Sequence, residues 1–513
     1  MILEMHCHTS EHSGCSHVRA GDLIHQNFEN GLQGTVLTDH HYLWPAEEIE
    51  DLRAKLAVPD YYLILSGQEV ATPEIGDILV YGATRSLAKG TPLSEIREEF
   101  PEAALVWAHP FRKENIPVPE ELLSETLDAI EIFSSNHTVL ENYRGLAAWH
   151  RHRFTAIAGT DTHAFSYAGV YPTLFDHPVT GIDELAGEIR AGRCRPYLKE
   201  IPHAGTTNTK VTELTIGIDG AREKRERIVI KTPENAQAWE SAATTQQIMT
   251  QMAEQIFHRD KRFRLPLSLG KDKENLAIFE QGIGGRTLFE VILEVRPKTA
   301  PKYLRLTAQW LTHLHNARLR LTPPEKFLDD EFARLDRYLS AFHRINHPHT
   351  RRAQELMETI LATEEDWYRN RLDTFVQGHG DFHPKNIYVG DKDHSDPNRC
   401  FIAAIDFDSS YCMPRAFDVG TFLMQFRNQF YEWDEVREKV DGEVFLREYL
   451  EQANDLERDF PAQVELFKAR TTLSICYYLI KVGLGDSENL WRVLVEAENG
   501  LAGIAAKKAA TPA

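Results

Sequence analysis

Residues 2–17 read "ILEMHCHTSEHSGCSH". The opening "ILEM" is short, apolar and suited to a buried strand, and His6 and His8 come at its end. Four histidines, a glutamate and two cysteines crowd residues 5–17, which reads as a metal site, a loose metal-binding tail or a chance cluster. The following segments separate these readings, because the same arrangement recurs. "TVLTDH" ends in Asp39 and His40, "YYLILSGQEV" carries Glu69 near its end, and "ALVWAHPF" places His109 at its end. "AIEIFSSN" holds Glu131 within its apolar run, and "FTAIAGTDTH" ends in Asp161 and His163. "DILVYG" differs, since it begins with Asp77. These β-branched and apolar runs are bounded by Gly, Pro, Asp or Thr, as strands are.

Helical patterns lie between them. "RAGDLIHQNFENG" sets Leu23, Ile24 and Phe28 on one face and stops at Gly31, while "PAEEIEDLRAKLA" opens with Pro45 and acids. Strands alternating with helices predict a largely parallel sheet, whose active site lies at the carboxyl ends of the strands. A single histidine at a strand end is more often structural. Here HxH, DH, E, H and DxH each fall at such an end, and the set argues for a metal cluster. Imidazoles and carboxylates suit Zn, Mn or Fe, and crowded carboxylates repel one another unless cations neutralise them. Two metals about 3.5–4 Å apart clamp a phosphoryl group and activate water.

"HCH", "TDHH", "SGQE", "AHPF" and "GTDTH", in that order, resemble the PHP (polymerase and histidinol phosphatase) metallophosphoesterase family over residues 1–200. The resemblance implies a distorted seven-stranded (β/α) barrel holding two or three divalent metals (Zn, Mn or Fe). Carried over by position, it implies that His6, His8, Glu69 and Asp161 hold one metal. Glu69 would bridge to a second, held also by His109, and His40 and His163 would hold a third. Two positions depart. The family commonly has His where this chain has Asp77; an Asp can ligate, but it changes the metal preference and the site charge. Many members have Asp where this chain has Cys15. Ligation by Cys15, substitution by His12 and a weakly held metal are the alternatives there. Glu11, His12, Cys15 and His17 fit a substrate lip or the surface as well as ligation.

After "RPYLKEIPH" the pattern changes. "AGTTNTKVTELTIGI", the turn "DGAREKRE" and "RIVIKTP" predict a β-hairpin. The small residues Gly205, Thr206, Thr207 and Asn208 offer backbone N–H groups to phosphates, and Lys231 ends its strand where an ammonium reaches them. More specific is "GHGDFHPKNIYVG", in which Asp381 precedes Asn386 by five residues, with "FIAAIDFD" downstream ending in Asp406 and Asp408. Phosphoryl transfer needs an acceptor-activating carboxylate and oxygen ligands for Mg²⁺. Asp381 suits the first role, and Asn386 and Asp406 the second.

"AGTTNTK", "IVIK", "LAIFEQGIGGRTL", "AQWLTHLHNARL", "HGDFHPKN" and "IDFD" resemble the aminoglycoside phosphotransferase and choline-kinase-like family. This resemblance implies a two-lobed protein-kinase-like domain over residues 201–505, with ATP and Mg in its cleft. It offers Glu240 as the acidic partner of Lys231, with Glu254 next, and makes Asp418 a structural carboxylate. Residues 506–513 are expected to be a flexible tail.

The chain of 513 residues has room for two to four domains at about 150 residues each. With 77 acidic against 57 basic residues, the formal charge of −20 argues against broad nucleic-acid binding. Six scattered cysteines form no CxxC pair. The first residues lack a secretory pattern and no apolar run spans a bilayer, so the expectation is a cytoplasmic protein. The expected fold class is α/β plus α+β. The expected function is bifunctional: hydrolysis of a phosphoester and ATP-dependent phosphorylation of a small-molecule acceptor. The alternative is a PHP-type nuclease with an ATP-binding regulatory kinase-like domain.

Overall fold

The computed structural model describes residues 1–203, 209–218, 226–258, 262–390 and 400–510. Gly205, Thr206, Thr207 and Asn208, expected to cradle phosphates, lie outside the described residues, as does the hairpin turn at 219–225. The chain forms two compact units, Met1–Thr232 with Phe279–Gly282, and Pro233–Ile278 with Ile283–Ala513.

Each of the seven apolar runs contains strand. They give β1 (Ile2–Glu4), β2 (Gly34–Leu37), β3 (Leu63–Ser66), β4 (Gln68–Thr72), β5 (Gly76–Tyr81), β6 (Ala104–Trp107), β7 (Ala129–Phe133) and β8 (Ala156–Ala158). Two further short strands follow, β9 (Thr173–Phe175) and β10 (Cys194–Pro196). The pairing differs from the expected single barrel. One five-stranded sheet runs β10-β9-β1-β2-β3 and another β4-β5-β6-β7-β8. Among the described residues, single bridges join Cys7 to Thr162 and His40 to Glu69, outside these ladders. Among the described residues the ladders do not close.

The reason is local. "YYLILSGQEV" breaks at Gly67 into β3 and β4, which join different sheets. At Gly67 the backbone passes so close to a neighbour that a Cβ would stand 2.7 Å from the Tyr81 ring and 3.0 Å from the Val80 carbonyl. The expectation of a largely parallel sheet is also corrected. β1-β2-β3 and β6-β7-β8 are parallel, but β5 is antiparallel to both β4 and β6. Reversal of β5 explains why Asp77 begins its strand: the start of an antiparallel strand lies at the rim where its neighbours end.

The helix Ala20–Glu29 buries Ala20, Leu23, Ile24 and Asn27, as its three-and-four spacing requires, and ends before Gly31. The helix Val139–His152 is an addition to the expected elements. Its signal is "TVLE": Thr138 accepts from the Glu141 N–H, and Glu141 accepts from the Thr138 N–H.

Strands β11 (Leu198–His203), β12 (Thr209–Ile216), β13 (Glu226–Pro233), β15 (Ser268–Asp272) and β16 (Ala277–Gln281) form a sheet in the order β11-β12-β13-β16-β15, where β14 is the short Phe263–Arg264. Lys231 lies on β13, and the helix Ala236–Met252 follows it. The second unit is mostly helical around one apolar core. In it Trp310 stacks on Phe257 and on Phe382, with ring centroids 5.2 and 5.5 Å apart. The last helix is Glu488–Ala510, and residues 511–513 of the expected tail lie outside the described residues. No helix among the described residues is long and apolar enough to cross a membrane.

Tyr81 is fully buried and its hydroxyl donates to the Met5 carbonyl at 2.7 Å, so the ring cannot retreat. Gly67→Ala should therefore lower stability by about 1–3 kcal/mol. In Gly187→Ala, on an exposed helix face with nothing within 4 Å of the new Cβ, stability should rise by about 0.5–1 kcal/mol. Urea midpoints of the two variants would separate in opposite directions; coincident midpoints would contradict the close approach.

Candidate functional site

All the metal ligands expected in the first unit except Asp77 gather into three overlapping groups. These are His6, His8 and Asp161; His6, Glu69 and His109; and His8, His40 and His163, with the donor atoms of each group within 4.8 Å of one another. His8 belongs to two groups, a sharing the resemblance does not imply. Asp77 belongs to none: it is half-buried, and its charge acts on His41.

Distances within the cluster have a common scale. His6 Nε2 is 3.1 Å from His8 Nε2, and Asp161 Oδ1 lies 3.6 and 3.2 Å from those two nitrogens. Glu69 Oε2 is 3.6 Å from His6 Nε2, 3.2 Å from His8 Nε2 and 2.8 Å from His40 Nδ1, and Glu69 Oε1 is 3.0 Å from His109 Nε2. Donors bonded to one metal at about 2.0–2.2 Å stand about 3.0–3.5 Å apart, so these are the edges of a coordination polyhedron. Glu69 Oε2 is buried and accepts no well-formed hydrogen bond despite its ring of imidazoles. An orphaned carboxylate oxygen among nitrogen donors fits a bridging metal ligand, and the residues present therefore fit Zn, Mn or Fe.

Glu131 orients the cluster. Its Oε1 is 2.9 Å from His6 Nδ1, which turns Nε2 inward, and its Oε2 accepts the His109 N–H at 2.8 Å. In the sequence it is only an acid within an apolar strand. His109 and Asp161 adopt left-handed backbone, at φ 34° and 48°, which concentrates strain at two ligands. Asp39 serves as an anchor: it accepts from Thr9 N–H and Oγ1, from Ser13 Oγ and from Trp44 Nε1. Glu11 accepts from the Ala20 N–H, His12 stacks on Tyr42 and approaches Glu48, and Cys15 is exposed. The cluster opens where His40 and His163 are 39 % and 28 % exposed, whereas His6 and His8 are sealed. Arg112 stands at this mouth, its Nη1 3.7 Å from Asp161 Oδ2. No motif in the sequence singles it out.

Lys231 Nζ stands 3.4 Å from Glu280, within the first unit. Glu240, expected to pair with it, holds Lys273 at 2.8 Å, and Glu254 is exposed. Helical register alone cannot reveal Glu280, because it lies on β16, far along the chain from Lys231.

In the second unit the loop at 379–386 is tied down from behind. Asp418 accepts the His379 N–H at 2.7 Å and the Gly380 N–H at 2.8 Å, and His315 Nε2 donates to it from 3.1 Å. Gly380 has φ 85°, and a Cβ there would run into the Ser409 carbonyl. His379 Nε2 donates to the Ile405 carbonyl at 3.0 Å, so Nδ1 accepts the Asp381 N–H at 3.2 Å. Burial pushes the Asp381 carboxyl up, but His383, His379 and Asn386 outweigh it and hold the group below the ordinary range. The strand Ile387–Gly390 pairs antiparallel with the strand Phe401–Ala404 in the register Ile387 to Ala404. The Ile405 N–H donates to the Asn386 carbonyl at 2.9 Å, so Asn386 and Asp406 flank one end of that hairpin. Asp406 is left-handed, at φ 67°.

Residues 218–458 match the model of the Phosphotransferase enzyme family. The chain as a whole is a mixed α/β protein. Curated proteins include no match. Among solved structures the chain is similar to PsfC from Pseudomonas syringae PB-5123, at 16% identity over 38% of this chain and 90% of that one, with a TM-score of 0.31. It is also similar to an ethanolamine kinase from Plasmodium vivax, at 15% identity over 60% of this chain and 81% of that one, TM-score 0.38. A macrolide 2'-phosphotransferase type I matches at 14% identity over 58% and 92%, TM-score 0.37.

Without metal, burial disfavours charge on His8, but hydrogen bonds to Asp161 and Glu69 lift it to about 9. Burial likewise opposes charge on His6, and Glu131, Asp161 and Glu69 overcome it. The His8 contribution to stability is full below its ordinary 6.5 and fades as pH rises through about 9. Glu69 and Asp161 are held low, so their contributions are present above 4.5 and 3.8 and fade as pH falls below those values. A metal must displace the imidazole protons. Calorimetric titration of Mn²⁺ into metal-free protein near neutral pH should therefore release protons, measurable from buffers of different ionisation heat. Heats independent of the buffer would contradict the cluster's assignment.

Proposed function

We propose that the chain is a bifunctional enzyme. Residues 1–200 form a PHP-type metallophosphoesterase, and residues 201–505 an ATP-dependent kinase for a small-molecule hydroxyl. The observation that carries the first half is the gathering of five imidazoles and two carboxylates in three groups that share His6 and His8. The two bridges, one just beyond β1 and one just beyond β2, support reading both sheets as one interrupted barrel.

When bound, two or three divalent ions would supply a nucleophilic hydroxide and electrostatic stabilisation of the phosphoryl oxygens. His6, His8, Glu69, His109 and Asp161 would hold the inner ions, and His40 and His163 the outermost. Glu131 fixes the tautomer of His6 by taking its Nδ1 proton in a hydrogen bond. Arg112, at the mouth, offers its guanidinium to a substrate phosphate oxygen.

The second half is supported by the family match over residues 218–458 together with the loop built around Asp381. Asp381, held as a carboxylate, accepts the hydrogen bond of the acceptor hydroxyl and orients it for in-line attack. Lys231 binds the ATP phosphates, and Asn386 and Asp406 supply oxygens to Mg²⁺. Fusion of the two suggests one pathway, either a kinase and phosphatase acting on one metabolite or two consecutive steps.

The test is a mass-spectrometric comparison of metabolite extracts incubated with ATP and Mg²⁺ and with wild type, His109→Ala or Asp381→Asn. A phosphorylated species that accumulates with His109→Ala and is absent with Asp381→Asn is the expected result, with at least about a 10²-fold loss of kinase rate in the latter. Equal accumulation in wild type and His109→Ala would contradict a shared metabolite. Activity of the first half on single-stranded DNA would instead favour the nuclease reading.

A further inference from the structure

The first unit does not stop at the metal cluster. It includes β13, which carries Lys231, and the segment Phe279–Gly282, which carries Glu280. One buried side chain lies between these elements and the cluster. Asn142, on the second turn of the helix Val139–His152, is fully buried, and each end of its amide is committed.

Toward the cluster, Asn142 Oδ1 accepts the Ser134 N–H at 3.2 Å and stands 2.9 Å from His137 Nδ1. Ser134 Oγ in turn accepts the Asn136 N–H at 3.2 Å. Asn136 Nδ2 donates to Asp161, at 2.7 Å to the carbonyl and 2.7 Å to Oδ2. Asp161 thus has one carboxylate oxygen committed to this loop, while the other faces His6 and His8. Toward the lysine strand, Asn142 Nδ2 donates to Glu226 Oε2 at 2.7 Å, and Glu226 is the first residue of β13. The next helix residue supports the same contact: Tyr143 packs its ring on Phe279, with centroids 5.3 Å apart. Phe279 adjoins Glu280, the partner of Lys231. The Gly282 N–H donates to the Arg227 carbonyl at 2.7 Å, which ties the same two strands.

We propose that Asn142 is a positioning residue shared by two sites, through which occupation of the metal cluster tightens nucleotide binding at Lys231. The inference rests on both halves of the functional reading above. Asp161, on holding a metal, would be fixed together with Asn136, the 134–137 loop and the acceptor end of the Asn142 amide. Its donor end then fixes Glu226 and the start of β13. The ordering cost that a nucleotide would otherwise meet at this strand has already been met. By thermodynamic reciprocity, nucleotide must tighten metal binding by the same factor. Burial pushes the Glu226 carboxyl up to about 7, and the Asn142 donor opposes it, so the strand's first residue is sensitive to loss of that single bond.

The experiment measures Mg·ADP affinity by calorimetry at constant excess Mg²⁺, on full-length protein either stripped of metal or loaded with Mn²⁺ and desalted. Mn content is read by mass spectrometry and folding by thermal melting. Wild type should bind Mg·ADP about fivefold tighter or more when loaded. That ratio should fall toward one in Asn142→Ala and in Glu226→Ala, and persist in Glu226→Gln, which keeps an oxygen acceptor. Glu226→Ala leaves the cluster's own bonds in place, so it decides the matter even if Asn142→Ala folds poorly. A wild-type ratio of one with both ligands bound would overturn the coupling alone, as would a ratio undiminished in Glu226→Ala. Failure of wild type to take up Mn²⁺ or to bind Mg·ADP would overturn the functional reading and the inference with it.

Discussion

A carboxylate buried among four imidazoles is the constraint around which the first unit is built. Glu69 is 1 % exposed, and His6, His8, His40 and His109 all bring a ring nitrogen to within 3.6 Å of it. Such a group is costly to bury unless its charge is balanced and its lone pairs are used. Protons on the imidazoles supply part of that balance, which is why His8 is lifted and Glu69 held low. They leave one Glu69 oxygen without a directed partner. A divalent cation satisfies both demands at once. Around this group lie the Gly67 break at which β4 starts another sheet, the reversed β5, and the left-handed residues His109 and Asp161.

The second unit meets a different constraint with a similar device. The loop that carries Asp381 must expose a carboxylate at a defined place while its own backbone N–H groups are buried. Asp418 accepts two of them and is itself compensated by His315, whose other nitrogen accepts from the Tyr449 hydroxyl at 2.8 Å. Phe382, the residue after Asp381, is pinned in the core against Trp310. The loop is thus held by charge on one side and by packing on the other, which fixes the backbone on both sides of Asp381.

Much of this is legible in the order of the residues. Apolar runs ending in His, Asp or Glu locate the strands and gather the ligands, because strand ends are where a fold of this kind presents side chains. "HGDFHPKN" and "IDFD" locate the loop and the hairpin end, because their spacing is set by a short turn. Other features are hidden for a physical reason. Nothing local in "YYLILSGQEV" distinguishes a continuous strand from one interrupted by the close approach of Tyr81. Glu131 looks like a misplaced acid until His6 is brought to it from the other end of the domain. The pairing of Lys231 with Glu280 in place of Glu240 depends on which strand lies beside β13. Asn142 carries no signal beyond a capping box a turn away.

The most direct test of the central claim is anomalous X-ray scattering from crystals of the full chain grown with Mn²⁺, recorded on both sides of the manganese edge. Two or three peaks should appear about 2.0–2.2 Å from donors of His6, His8, Glu69, His109 and Asp161, two of them bridged by Glu69, and any third beside His40 and His163. An absence of anomalous density, with imidazole nitrogens at hydrogen-bond distance from the Glu69 and Asp161 oxygens, would contradict the account: the cluster would then be a buried salt-bridge network and not a metal centre.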